Sequence, residues 1–197
     1  MSQVDSASLR GVARSMKRAV NEALDQWRYR SLVNRQAFPS PVRVILVVCK
    51  GNICRSPLAE AYLKHRVEKH GLPIVVESAG LETSFGKAAH PLAQVVGTQG
   101  GLLLTKHATQ PLHKEQVDRA DMILVMEWRQ RRRVLKLYPQ AKQKVFLLRQ
   151  FYDQSVREVA DPYSGTLEDF QTCFSMIKQA CDVLVMQMLP SGKQAWD

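Results

Sequence analysis

No apolar run in this 197-residue chain approaches the ~20 residues that a membrane-spanning helix requires. The N-terminus lacks the apolar segment of a secretory signal. Cysteine is scarce, with Cys49 and Cys54 close together and Cys173 and Cys181 far from them. Such spacing is not a disulfide framework. Zinc-finger spacings, RNA-binding aromatic motifs and a helix-turn-helix pattern are missing, so nucleic acid is not an expected partner. His65 and His70 stand five apart and are poorly placed to share a ligand face; no metal and no other cofactor is expected. Acidic residues are outnumbered, 18 against 28 basic, leaving a formal charge of +10. That balance suits an acidic or phosphorylated partner, or an anionic membrane surface. What remains is an ordinary globular composition, 45% hydrophobic and 23% charged, in a length that fits one domain.

The stretch from Val44 to Lys64 organises the chain. Val44, Ile45, Leu46, Val47 and Val48 read as a strand buried on both faces of a parallel sheet. Leu58, Ala59, Ala61, Tyr62 and Leu63 recur at helical spacing, with Ser56 as expected N-cap and Pro57 at the first helical position. Between them lies the loop Cys49-Lys50-Gly51-Asn52-Ile53-Cys54-Arg55. Backbone N–H groups at a strand-to-helix turn, with the positive end of the helix, form an anion cradle of phosphate size. Gly51 and Asn52 are residue types that tolerate the positive φ such a cradle needs. Arg55 can clamp two phosphate oxygens with its planar fork. A cradle of this kind favours the anionic, nucleophilic form of a sulfur at its floor, the position Cys49 occupies.

Cys49 through Pro57 resembles the phosphate loop of the low-molecular-weight protein tyrosine phosphatases, C-x-G-N-x-C-R-S-P after a hydrophobic strand, at every fixed position. The resemblance implies Cys49 as nucleophile and Arg55 as phosphate ligand, with Lys50, Gly51, Asn52, Ile53, Cys54 and Ser56 around the substrate. It also gives Asn52 and Ser56 the task of holding the loop's shape. Ser78, in the Ser78-Ala79-Gly80 segment after a second strand at Ile74–Glu77, is expected to join that network. In Lys106-His107-Ala108-Thr109, His107 is expected as a buried support to the loop, with Thr109 where the family often has arginine. Leu81 to Lys87 corresponds to a variable cleft wall, where Phe85 is either a stacking aromatic or a packing residue. Val159-Ala160-Asp161-Pro162-Tyr163 matches the motif that carries the family's general acid, Asp161, with Tyr163 as the other cleft wall. Ser164 departs from the residues common after that motif and bears on substrate preference.

Further strands are expected at Asp121–Met126 and Lys144–Leu148, and helices from His90-Pro91 to Gly100, over Trp128–Tyr138 and over Leu167–Leu189. The run Arg129, Arg131, Arg132, Arg133 reads as a solvated helix face. The fold class is therefore α/β: a single domain with a central four-stranded parallel sheet and helices on both faces. An amphipathic helix precedes it, with Leu9, Val12, Ala13, Met16, Val20, Ala23, Leu24 and Trp27 on one face and Arg10, Arg14, Lys17 and Arg18 among its basic residues. That helix either packs on the domain or another copy, or contacts a membrane surface or a partner. The expected organisation is an extension and linker over 1–40, a phosphatase domain over 41–190 and a tail over 191–197.

The expected function is hydrolysis of phosphotyrosine in protein substrates, and of aryl phosphates, through a phosphocysteine, in the cytoplasm where thiols stay reduced. Two alternatives stand beside it. A thiol-dependent arsenate reductase uses the same loop, but needs relaying cysteines, and none lies between Cys54 and Cys173. A phosphotyrosine-binding module would be expected to lose Cys49, Arg55 or Asp161, and all three are present.

Overall fold

The structure is a computed structural model that describes residues 38–152 and 158–189, together with Met16 and Val20. The chain divides into two compact units, Met1–Phe38 and Pro39–Asp197. The expected N-terminal amphipathic helix and the tail over 191–197 lie outside the described residues, apart from Met16 and Val20, which are helical.

The five apolar residues after Arg43 do form the centre of a parallel sheet. Strand β1 (Val44–Cys49) pairs with β2 (Val75–Gly80) on one side and β3 (Met122–Val125) on the other, and β4 (Val145–Leu147) pairs with β3. The order is β2-β1-β3-β4, all parallel. Ile45 to Val48 are fully buried, which is why they show no alternation of polar and apolar residues. Asp121 fixes the start of the sheet: its carboxylate accepts hydrogen bonds from the backbone N–H of Arg43, at 2.8 Å, and of Val44, at 2.9 Å. β2 runs three residues beyond Glu77, because Ser78, Ala79 and Gly80 continue the ladder opposite Val47, Val48 and Cys49.

The helices are α1 (Arg55–Lys69), α2 (Pro91–Gln99), α3 (Lys114–Arg119), α4 (Trp128–Leu137) and α5 (Leu167–Met188). α1, α2 and α5 pack together on one face, while α4 lies against β3 and β4 on the other. Right-handed crossovers in opposite directions from β1 require that division. α1 presents Leu58, Ala59, Leu63 and Val67 to the core, and α5 presents Phe170, Phe174, Ile177 and Leu184. Tyr62 joins the two helices, edge-on to Phe174 and donating to Asp182 at 2.8 Å.

Three local readings change. Ser56 does not cap α1; the helix begins one residue earlier, at Arg55, and Ser56 turns its hydroxyl into the loop instead. α3 was not expected, since a six-residue helix with Val117 as its buried residue has no apolar stripe to read. Its end groups are met by Gln116, which accepts from His113 N–H at 3.0 Å, and by an ion pair between Lys114 and Asp118. The arginine run is a solvated face except at Arg131, which is buried and donates through Nε to the carbonyl of Val145 at 3.2 Å.

Candidate active site

The order β2-β1-β3-β4 places the carboxyl end of β1 at the point where successive crossovers diverge, the position at which open parallel sheets take ligands. Cys49 is the last residue of β1, and Arg55 is the first of α1. The turn between them is held from below by hydrogen bonds. Asn52 adopts φ 54°, alone among the described non-glycine residues in having positive φ. Gly51, expected to share that geometry, does not take it. The left-handed position falls on Asn52 because its side chain is fixed on every side. Nδ2 donates to Ser56 Oγ at 2.9 Å and to Ser78 Oγ at 2.8 Å, and Oδ1 accepts from Gln110 N–H at 2.9 Å. His107 Nε2 lies 2.7 Å from the Asn52 carbonyl.

The direction of these bonds determines what reaches the sulfur. Ser78 donates its hydroxyl proton to Glu60 at 2.5 Å, leaving its oxygen to accept from Asn52. Ser56 also accepts from Asn52, so its own proton is free to point at Cys49 Sγ, 3.0 Å away. Asn52 N–H donates to the same sulfur at 3.2 Å. Two donors converging on one sulfur suit an anion there.

Arg55 is the largest of the fully buried side chains. Its NH1 donates to the Val159 carbonyl at 3.0 Å and pairs with Glu127 at 3.1 Å; its NH2 pairs with Asp161 at 2.6 Å. Its Nε is buried and has no protein partner. A buried guanidinium nitrogen without an acceptor is costly unless a ligand supplies one.

A cavity of about 170 Å³ opens over the turn, lined by Cys49, Lys50, Gly51, Ile53, Cys54, Arg55, Asp161 and Tyr163, all expected from the sequence. Glu82 also lines it and was not expected; it pairs with Lys50 at 3.8 Å on the rim. Asn52 and Ser56 are fully buried beneath the turn and do not line the cavity, and neither do Ser78 and His107, which bond to Asn52. Phe85 is not in it. It is exposed and stacks on His113, 5.5 Å between centroids, beside a separate depression. Glu127, the second carboxylate on Arg55, was also missed. Strand register places it there: Val125 sits opposite Val48 in the sheet, so the residue two beyond it reaches the level of the turn.

Burial pushes the Cys54 thiol up to about 12, with the charges of Asp161 and Cys49 adding to the effect. Cys173 is likewise pushed up to about 12 by burial. Among the described residues all four cysteines are free, and no cluster of metal-ligating side chains occurs.

The sequence model of a family described as low molecular weight phosphotyrosine protein phosphatase matches residues 44–194. A probable low molecular weight protein-tyrosine-phosphatase, EpsP of Ralstonia nicotianae, is 34% identical over 151 residues, covering 77% of this chain and 99% of that protein. A protein-arginine-phosphatase of Bacillus subtilis is 31% identical over 144 residues, covering 73% of this chain and 95% of its own. The crystal structure of the Erwinia amylovora tyrosine phosphatase AmsI superposes with a TM-score of 0.72 at 31% identity, covering 79% of this chain and 99% of that one.

Proposed function

Because the chain belongs to the low molecular weight phosphotyrosine protein phosphatase family, we propose that Cys49, Arg55 and Asp161 carry out its phosphomonoester hydrolysis. It is a protein-tyrosine phosphatase, and its substrates are phosphoproteins. The observation that carries the residue assignment is the unpartnered Nε of buried Arg55, a residue that lines one cavity with Cys49.

In this mechanism a phosphomonoester dianion enters the cradle and its equatorial oxygens take hydrogen bonds from the turn's N–H groups and Arg55. The Cys49 thiolate attacks phosphorus as the bond to the leaving oxygen breaks. Asp161, as the carboxylic acid, gives that oxygen its proton. A phosphocysteine and the free phenol result. Asp161, now a carboxylate, takes a proton from water as the water oxygen attacks phosphorus and the sulfur departs as thiolate. Inorganic phosphate leaves, and both groups return to their starting forms. Ser56 and Asn52 N–H steady the departing sulfur.

Ile53 and Tyr163 supply the apolar walls of the cavity, which suit an aryl ring better than a phosphorylated guanidinium. Arsenate reduction is disfavoured, since burial holds Cys54 and Cys173 as thiols, unsuited to relaying electrons. The test is phosphate release from a phosphotyrosyl peptide and p-nitrophenyl phosphate, run beside phosphoarginine hydrolysis and arsenate reduction. Turnover of the first pair supports the reading; turnover of phosphoarginine or arsenate alone would replace it.

The proposed domain organisation sets an extension over 1–40 before a phosphatase domain over 41–190 and a tail over 191–197. Contact of the basic extension with a membrane surface or partner, and a cytoplasmic location, rest on sequence and thiol chemistry. Among the described residues, no helix is long and apolar enough to cross a membrane.

A further inference from the structure

The walls of the cavity are tied together by a residue outside it. His90 caps α2: its Nδ1 accepts from Leu92 N–H at 3.2 Å. Asn, Asp, Ser and Thr are the usual residues at such a cap, and each is smaller than histidine. Capping therefore does not explain a ring at this position. The imidazole lies nearly parallel to Phe170, 4.8 Å between centroids at 19°, and edge-on to Tyr163, 5.7 Å at 68°. Phe170 is fully buried in α5, whereas Tyr163 is 59% exposed and lines the cavity. His90 stands between them as a spacer that passes the position of the fixed ring to the exposed one. On its other side, His90 backbone N–H donates to the Ile53 carbonyl at 2.7 Å. Ile53 and Tyr163 are the two apolar sides of the slot above Cys49. One residue thus holds both, Ile53 through its backbone and Tyr163 through its ring.

We infer that His90 is a positioning residue that sets the width of the leaving-group slot between Ile53 and Tyr163, and so selects aryl over alkyl phosphoesters. The inference rests on reading the cavity as a phosphoester site. It separates two jobs within one side chain: a nitrogen that caps α2 and a ring that backs Tyr163. The phosphate itself is bound by Arg55 and the N–H groups of the turn, whereas the His90 ring contacts Tyr163, Phe170 and Leu92 N–H. Removing the ring while keeping an acceptor should therefore weaken aryl binding and leave phosphate binding alone.

The test compares affinity for benzylphosphonate with affinity for inorganic phosphate, by calorimetry, in the full-length chain. His90→Asn keeps a cap acceptor and loses the ring; it should weaken benzylphosphonate about fivefold, as expected for a lost aromatic contact, and phosphate by less than about twofold. His90→Phe keeps a ring and loses the acceptor; it should bind benzylphosphonate within about twofold of the native chain while melting at a lower temperature. In steady-state kinetics, His90→Asn should raise KM for p-nitrophenyl phosphate more than it lowers kcat, and barely change KM for glycerol phosphate. In a Tyr163→Ala background, His90→Asn should have no further effect on benzylphosphonate. Equal weakening of both ligands by His90→Asn, or no weakening of either, overturns the inference while native turnover still supports the phosphatase reading. A native chain that binds benzylphosphonate selectively through His90 but releases no phosphate overturns the phosphatase reading and keeps the slot. A native chain that binds neither ligand overturns both.

Discussion

Arg55 is held between two carboxylates, Glu127 and Asp161, and a phosphate dianion adds a third anion to the same guanidinium. The cationic side of that balance includes Arg129, which donates to Glu127 through both Nε, at 2.9 Å, and NH2, at 3.0 Å. Glu127 can therefore orient Arg55 without carrying a full uncompensated charge beside the substrate. Cys49→Ser should lower turnover by at least about 10³-fold while inorganic phosphate still binds within a few-fold, because the cradle is backbone and Arg55. Retained burst kinetics in that variant would remove Cys49 as nucleophile. Asp161→Asn should slow phenyl phosphate by about 10²–10³-fold and p-nitrophenyl phosphate much less, since a good leaving group needs little protonation. Equal losses on both would argue against the general acid. The sulfur chemistry separates too. With Cys54 and Cys173 pushed up to about 12, their thiolate forms are scarce at pH 8, near one in 10⁴ by the usual titration relation. Iodoacetamide at that pH should add one adduct to the folded chain, at Cys49, and inorganic phosphate should suppress it. Intact mass spectrometry reads the count, and two rapid adducts would mean that Cys54 is reactive. The same burial makes Cys54 a slow partner for an oxidised Cys49 at neutral pH, with disulfide formation quickening as pH rises toward 12.

At the scale of elements, the strand–turn–helix unit was readable because each part leaves a distinct trace: a continuous apolar run, a short polar turn, and a proline at the head of a helix. β3 and both long helices were visible for the same reason. The sequence was silent where the determinant is an interaction across the sheet. Glu127, Glu82 and His90 reach the site through strand register and helix packing, and nothing in their immediate neighbours marks them. Phe85 shows the converse. Its position in the variable loop suggested a cleft wall, yet the loop turns it away to stack on His113. Ser56 shows that a residue suited to one local task can be taken by another, here the sulfur network in place of the helix cap. The turn itself depends on β2 as much as on its own residues. At Gly80 a Cβ would meet Asn52 Cβ and N at 3.1 Å and Thr83 Cγ2 at 2.7 Å, so the end of β2 must be bare for Asn52 to sit where it does. Asn52→Ala removes three side-chain hydrogen bonds and leaves a strained φ, and should cost about 2–4 kcal/mol in urea unfolding. Asn52→Gly relieves the φ but not the bonds, and should recover about 1 kcal/mol of that loss. If the two variants unfold at the same urea concentration, the backbone geometry at this position carries no strain.

Across the whole molecule the positive charge is shared between the two units, while the chemistry belongs to one. Every residue assigned to the site lies within Pro39–Asp197. Residues 1–38 carry seven of the basic side chains and three of the acidic ones, a disproportionate part of the +10 total. A net positive field accelerates encounter with anionic partners and is weakened by salt, and its effect grows with the partner's own charge. A small aryl phosphate carries two negative charges wherever it meets the enzyme, but an acidic phosphopeptide samples a larger part of the field. A chain lacking residues 1–38 should therefore hydrolyse p-nitrophenyl phosphate with kcat/KM within about twofold of the full chain. With an acidic phosphotyrosyl peptide, kcat/KM should be lower than in the full chain at low salt and should converge with it near 0.5 M salt, where the Debye length falls to about 4 Å. Stopped assays across an ionic-strength series distinguish the cases. A truncated chain that loses activity on both substrates at every salt concentration would mean that the first unit contributes to the site itself. Identical salt slopes for the two chains on the peptide would mean that the charge of residues 1–38 does not act on the substrate.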